Sequence, residues 1–369
     1  MAKRPPLEKM VSAAQLKATF NNKKVFVTGH TGFKGAWLVQ ILQWVGADVK
    51  GYSLAPEKDK DLYNLIGGDK LCYSSVLENI NDLHKLQGEL VRFEPDFVFH
   101  LAAQSLVRRS YDKPVETFMV NAQGTAHVLE AVRSLKKPCV ALMITTDKVY
   151  ENPERGTPFH EDDKLGGYDP YSASKAAAEI VVDSYRRSFF NPGDYAKHQK
   201  SVAAVRAGNV IGGGDYSDDR IIPDIVRALD FNETVGLRNP NSIRPWQHVL
   251  EPLGAYLHLA VMMAEQPQAL STAFNFGPAA DDMLTVEDLT KIFLERYQRG
   301  SYKIIPQENA PHEAKLLLLD SSKAEKLLGW VPKLNARTAI EWTADWYADK
   351  EHDAHAKCMM QIEKYFGSL

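Results

Sequence analysis

The sequence predicts an α/β protein: a doubly wound parallel sheet followed by a smaller C-terminal α/β unit. Three observations carry that expectation. Short β-branched and aromatic runs alternate with helical segments from residue 24 to residue 207. A glycine-rich turn closes the first run and opens the first long helix. After Gly212, Gly213 and Gly214 the texture changes to helices separated by short strands.

The elements follow in order. Residues 1–20 read as a polar leader with one short helix at 12–20. Residues 24–28 (K-V-F-V-T) form a strand of the fully buried type, and 36–45 an apolar helix. Residues 48–54 are the second strand, 79–93 an amphipathic helix, and 97–103 (F-V-F-H-L-A-A) another buried strand. Pro114 opens a long helix over 113–135. A strand at 140–144, a helix at 172–190 and a strand at 202–207 complete the alternation. Short strands at 234–237, 273–276 and 302–305 belong to the second unit, whose C-terminal third holds Trp330, Trp342 and Trp346. The division expected is 21–212 plus about 247–268 for the first unit, and 213–246 plus 269–369 for the second.

The turn between the first strand and helix reads G-H-T-G-F-K-G. Gly29, Gly32 and Gly35 lack the Cβ that would hold a pyrophosphate away, and the helix start offers free N–H groups to it. Thr31, Phe33 and Lys34 fill the same turn, so this stretch is the candidate dinucleotide site. An ordinary tight βα turn with no ligand would share the pattern. The spacing is G-x-x-G-x-x-G rather than the narrower dinucleotide fingerprint. The ribose-binding acid expected at the end of the second strand is replaced by Ser53, with Glu57 four residues on. The residues thus leave NAD and NADP open. With no arginine there to meet a 2′-phosphate, NAD is favoured.

Tyr171 and Lys175 stand one helical turn apart in Y-S-A-S-K. Two unit charges ~6 Å apart at an effective dielectric of ~20 interact by ~3 kcal/mol, or about two pK units. Lys175 is therefore expected to lower the Tyr171 phenol toward use as a base. A surface Tyr and Lys on an amphipathic helix would look the same out of context. At the end of the 140–144 strand, Thr145-Thr146-Asp147-Lys148 lies where open α/β sheets hold ligands. Thr146 suits a hydrogen bond to a substrate hydroxyl, and Asp147 and Lys148 set an acid beside a base. A polar turn closing a strand is the plainer alternative.

In order, G-H-T-G-F-K-G, H-L-A-A-Q, T-T-D-K-V-Y, Y-S-A-S-K, R-A-G-N-V-I-G-G-G-D and R-P-W-Q-H-V make residues 23–330 similar to the extended short-chain dehydrogenase/reductases. Within that family the chain resembles the nucleotide-sugar 4,6-dehydratases, and Asp147-Lys148 resembles the pair of those acting on CDP-D-glucose. The resemblance implies a Rossmann-like domain with tightly held NAD and a second domain for a nucleotide-sugar substrate. It implies oxidation at C4 through Tyr171, elimination of water across C5 and C6, and reduction at C6. By analogy Lys148 is the base and Asp147 the acid; the residues alone leave the two roles interchangeable. Cofactor contacts are implied for Leu101, Ala102, Ala103, Asn121 and Thr145, besides Ser53, Tyr171, Lys175 and the glycine turn. Substrate contacts are implied for Gln104, Ser105, Asn209, Arg220 and Arg244. A homodimer is implied as well, through the 113–135 and 172–190 helices and outward residues such as Phe118, Val128, Ile180 and Val181. Nucleotide-sugar 4-epimerases share most of these motifs but need no Asp147-Lys148 pair. A non-catalytic dinucleotide-binding regulator would need neither Tyr171 nor Lys175.

Composition narrows the classes further. With 369 residues, 44% hydrophobic and 25% charged, the chain has the make-up of a soluble globular protein. A net charge of −3 gives no reason to expect nucleic acid or an anionic membrane as a partner. No apolar run is long enough to span a bilayer. The opening M-A-K-R-P-P-L-E-K-M lacks the apolar core of a secretory signal. The three cysteines are scattered, which argues against a disulfide framework and a zinc site. A cytoplasmic protein without a metal is expected.

Overall fold

Seven short strands, nearly all buried, lie side by side in one parallel sheet. They are β1 Lys24–Thr28, β2 Asp48–Ser53, β3 Ser74–Leu77, β4 Phe97–His100, β5 Cys139–Ile144, β6 Lys200–Ala207 and β7 Ala273–Phe276. Their order across the sheet is β7-β6-β5-β4-β1-β2-β3, and every pairing is parallel. This computed structural model describes residues 10–153, 156–279, 282–305 and 317–367; residues 1–9 of the expected leader lie outside them.

A parallel sheet must be covered on both faces, and successive side chains of β1 show how. Val25 and Val27 join an apolar cluster with helix Phe33–Trp44 and helix Leu250–Glu265. Phe26 points the other way, into a cluster with helix Leu83–Phe93 and Val128, Leu129 and Val182 of the two long helices. Chain order reverses between β1 and β4, where Thr28 pairs with His100. The two strand ends part there, and the crevice between them is the place such sheets offer to ligands.

The smaller lobe sits over that crevice. Helix Ile221–Asp230, the parallel pair Val235–Leu237 and Tyr302–Ile304, and the antiparallel pair Ile243–Arg244 and Leu284–Thr285 build it. Helix Val286–Tyr297 packs on helix Ala336–Ala348. Among the described residues no helix is long and apolar enough to cross a membrane.

Several elements depart from the sequence reading. Ala273–Phe276, expected in the second unit, pairs with β6 and forms the edge of the main sheet. Helix Leu83–Phe93 starts four residues later than expected, where Asp82 Oδ1 accepts the Lys85 N–H at 2.9 Å. The preceding β3 is absent from the reading. The helix expected at 113–135 contains a π-helical turn, Met119–Gln123. Val128, expected to face outward, is fully buried against the sheet.

Candidate active site

The glycine turn is the first wall of the crevice. Gly29 has φ +75°, and a Cβ there would lie 2.6 Å from the Ala102 nitrogen. A Cβ on Gly35 would lie 2.0 Å from the Gly29 oxygen. Both glycines are thus demanded by the protein's own packing. Gly32 differs: a Cβ there meets only the Gly29 oxygen, at 3.5 Å, an ordinary contact. Gly32 caps helix Phe33–Trp44 with no side-chain hydrogen bond. An open position at a helix start without a side-chain cap fits a phosphate. Thr31 Oγ1 lies 2.9 Å from Ser53 Oγ, so Ser53 ties the turn to the end of β2. Glu57 is drawn aside by Arg109, 2.9 Å away.

Beside the turn opens a cavity of about 340 Å³. Lys34, Leu101, Ala103, Ser105, Thr145, Thr146, Lys148, Tyr171, Lys175, Asn209, Arg220 and Arg244, all expected at a site, line it. Arg108 and Arg238 join them, each paired with Asp219; Asp215, Asp218 and Asp224 line the cavity too, but cations outnumber carboxylates, which suits pyrophosphate oxygens. Burial first, then Arg220 and Lys175, lowers the Lys34 ammonium to about 7. Arg220 Nη1 is braced by Asp215 at 3.2 Å, and Arg244 Nη1 donates to the Ile243 carbonyl at 3.0 Å.

The reactive groups come from β5 and helix Pro170–Ser188. Thr146 caps a short 3₁₀ turn, Asp147–Val149, in which Asp147 is buried and Lys148 lines the cavity. Thr146 Oγ1 donates to Asp147 Oδ1 at 2.9 Å, and Lys148 Nζ lies 3.4 Å from the same oxygen. Lys148 Nζ also lies 3.4 Å from Asn209 Oδ1. Asp147 Oδ2 is buried and has no hydrogen-bond partner among the described residues. Gly208 leaves the space in front of it: a Cβ there would stand 3.3 Å from Oδ2. Gly208 was not singled out in the sequence, where it reads as one more loop glycine.

Tyr171 and Lys175 share a helix face, but their coupling differs from expectation. The Tyr171 phenol is pushed up by burial, and the groups that pull it back are Lys148, a hydrogen bond with Thr146, and Arg220. Lys175 is turned the other way, its Nζ donating to the Ile144 carbonyl at 3.1 Å. Burial lowers that ammonium to about 8. Lys175 Nζ thus meets a strand carbonyl, while Lys148 and Thr146 act on the phenol as well.

Two further expectations are corrected. The Gln104 amide does not face the cavity: it donates to the Leu106 carbonyl at 3.1 Å and Thr117 Oγ1 at 3.0 Å, and accepts the Leu106 N–H at 2.7 Å. Asn121, in the π turn, spends its amide on Gln104 N, Gln104 O and Ser174 Oγ, at 2.9, 3.0 and 2.9 Å. It pins the 101–106 loop to the helix of Tyr171. Ala102 lies under Gly29, donating its N–H to Thr28 Oγ1 at 3.2 Å. Phe33 faces the 212–214 loop, where a Cβ on Gly212 would come within 3.2 Å of its ring. His248, left open in the sequence, is a core residue packed edge-on against Trp37 and Trp342.

Sheet order, glycine turn and the Tyr171/Lys175 helix define the class: an extended short-chain dehydrogenase/reductase. The model of the family described as GDP-mannose 4,6 dehydratase matches residues 26–343, and the chain belongs to that family. A CDP-glucose 4,6-dehydratase of Salmonella typhimurium is 44% identical over 90% of this chain and 92% of its own. A dTDP-glucose 4,6-dehydratase of Streptomyces antibioticus is 29% identical over 88% and 92%. Among solved structures, the dTDP-glucose 4,6-dehydratase DesIV of Streptomyces venezuelae, with NAD bound, superposes with a TM-score of 0.74 at 24% identity, covering 89% of this chain and 97% of that one.

Proposed function

We propose that this protein is a nucleotide-sugar 4,6-dehydratase that converts CDP-D-glucose to CDP-4-dehydro-6-deoxy-D-glucose and water, using bound NAD. The observation that carries the reading is the 3.4 Å contact between the buried Asp147 and Lys148, which lines the same cleft as Tyr171. Its relative of 44% identity bears the CDP-glucose name, which supports the choice of base and sugar. The open Gly32 and the NAD-bound fold relative support the cofactor.

NAD, when bound, supplies reversible hydride exchange. The chain's own groups move the protons. Lys148, Thr146 and Arg220 favour the tyrosinate form of Tyr171, whose Oη takes the proton of the 4-hydroxyl and becomes the phenol. The C4 ketone makes the C5 proton acidic. A proton passed from Lys148 to its contact partner Asp147 turns the ion pair into an amine and a carboxylic acid. The amine removes the C5 proton while the acid protonates the departing 6-hydroxyl. Water leaves, and the pair is again ammonium and carboxylate; as hydride reaches C6, Lys148 returns the proton to C5 and recovers one from the Tyr171 phenol, which closes the proton balance. Ser105, Asn209, Arg220 and Arg244 hold the sugar and pyrophosphate. A 4-epimerase has no need of this pair, because it eliminates nothing.

A homodimer accompanies this reading. Val115 and Ile180, 71% and 60% exposed, and the partly exposed Phe118 and Met119 form an apolar strip on adjacent helices, suited to a second copy. The cysteines Cys72, Cys139 and Cys358 are free, in keeping with a cytoplasmic setting. The test is a panel of nucleotide glucoses and mannoses. CDP-glucose should turn over to a 4-keto-6-deoxy product with no net change in cofactor. A galactose-configured product would instead establish the epimerase.

A further inference from the structure

Beneath the cleft lies a buried ion pair that the proposed chemistry does not use. Glu179 and Arg206 are each less than 5% exposed. Arg206 Nε and Nη2 meet the two Glu179 oxygens at 2.8 and 3.0 Å. Glu179 Oε1 also accepts the Thr145 hydroxyl at 2.6 Å. Arg206 Nη1 donates to Tyr150 Oη at 2.6 Å and the Glu161 carbonyl at 3.0 Å, and Tyr150 Oη donates to Asn275 Oδ1 at 2.7 Å. One pair therefore joins the T-T-D-K-V-Y strand end, the helix of Tyr171 and Lys175, the R-A-G-N strand and the sheet edge.

A buried ion pair is weak grounds for stability, since well-packed apolar groups often do as well. Its placement suggests another use. Glu179 follows Lys175 by four residues on one helix, so Tyr171, Lys175 and Glu179 share a face. Lys175 holds the Ile144 carbonyl and Glu179 the hydroxyl of Thr145, the next residue. We propose that Glu179 is a positioning residue of this active site: held by Arg206, it fixes through the Thr145 hydroxyl the strand end that presents Thr146, beside the Ile144 carbonyl held by Lys175. The inference rests on the proposed dehydratase reading.

The groups facing Lys175 decide the sign. On its own helix stands Glu179, the one group that raises it. From the glycine turn comes Lys34, a like charge. From β4 comes His100, which burial holds neutral at about 3. Lys148, Asp147 and Arg220 face Tyr171 instead. Removing the Glu179 charge should therefore let Lys175 lose its proton at lower pH, and because the ammonium grips the Ile144 carbonyl two residues before Thr146, activity should fade earlier on the alkaline side.

The experiment compares wild type, Glu179→Gln, Glu179→Asp and the double variant Glu179→Gln with Arg206→Met. The double variant leaves no unpaired buried charge and covers the case where the single one fails to fold. Two readouts are taken. One is the pH profile of dehydration. The other is an isotope-labelled lysine NMR titration of the protein without added substrate, its Lys175 signal assigned by loss in Lys175→Met. The descending limb and the Lys175 titration should both move down by about one pH unit or more, with Glu179→Asp restoring them. Folded Gln variants that titrate and turn over at the wild-type pH would overturn the inference. Wild type that gives no 4-keto product would instead overturn the dehydratase reading, while the NMR titration still judges Glu179.

Discussion

Lys148 Nζ sits 3.4 Å from the Oδ1 of Asp147, a carboxylate only 1% exposed. The next residue in sequence supplies the counter-charge, and the 3₁₀ turn capped by Thr146 makes that contact possible. A charge pair built into one turn at a strand end is a compact acid–base device.

Removing either half should stop elimination while leaving oxidation possible. Asp147→Asn and Lys148→Met are expected to lower water release by about 10²- to 10⁴-fold. Under single turnover Asp147→Asn should form reduced cofactor and a 4-keto sugar that keeps its 6-hydroxyl, whereas Lys148→Met, which also loses a cation favouring the Tyr171 tyrosinate, should form it more slowly. Mass spectrometry of the quenched nucleotide sugar checks this.

Gly208 guards the free oxygen of that carboxylate. In Gly208→Ala the new methyl would lie 3.1 Å from Pro245 Cγ and 3.3 Å from Asp147 Oδ2. Dehydration should slow by about tenfold, equal to ~1.4 kcal/mol of barrier, with little change in melting temperature. Steady-state rates and a thermal melt on the same preparation decide it.

The three glycines of the turn should separate by function. Gly35→Ala, with its Cβ 2.0 Å from a backbone oxygen, should destabilise the fold. Gly32→Ala should melt like wild type, since its Cβ has room, yet bind NAD at least about tenfold more weakly, because the space belongs to the phosphates. Calorimetric melts and NAD titrations test both.

Glu251 offers a pH signature away from the cleft. Its Oε1 accepts the N–H groups of Lys333 and Leu334 at 3.0 and 2.8 Å, and burial pushes the carboxyl up from 4.5 to about 7. The folded state therefore holds this proton more tightly than the unfolded one. The stabilisation is full below about pH 4.5 and is lost as pH rises through 7, a change of about 3 kcal/mol. Glu251→Gln keeps the acceptor oxygen, so it should lack this dependence and outlast wild type at pH 8. Denaturant unfolding at several pH values measures the difference.

Local signals made the sheet readable. β1 was placed to the residue because five letters and a glycine mark its end. Non-local pairing was not readable. Ala273–Phe276 lies more than 60 residues past β6, and its four residues carry nothing that names their partner. β3 was missed because S-S-V-L is short and only half-buried, without an apolar run. Within the site, Tyr171, Lys175, Asp147 and Lys148 were legible because spacing within one helix or turn fixes them. Gln104 and Asn121 were misjudged because their partners, Thr117 and Ser174, come from other segments. Glu179 had a visible signal, the Tyr171–Lys175 register carried one turn further, but Arg206 lies 27 residues away.

The central claim is a closed redox cycle within one active site, and an isotope reports it most directly. CDP-glucose carrying deuterium at C4 should give a 4-keto-6-deoxy product with that deuterium at C6, since the atom leaves one carbon and returns to the other. Label found still at C4 of a sugar that has kept its oxygen at C6, or label lost to solvent, would contradict the account.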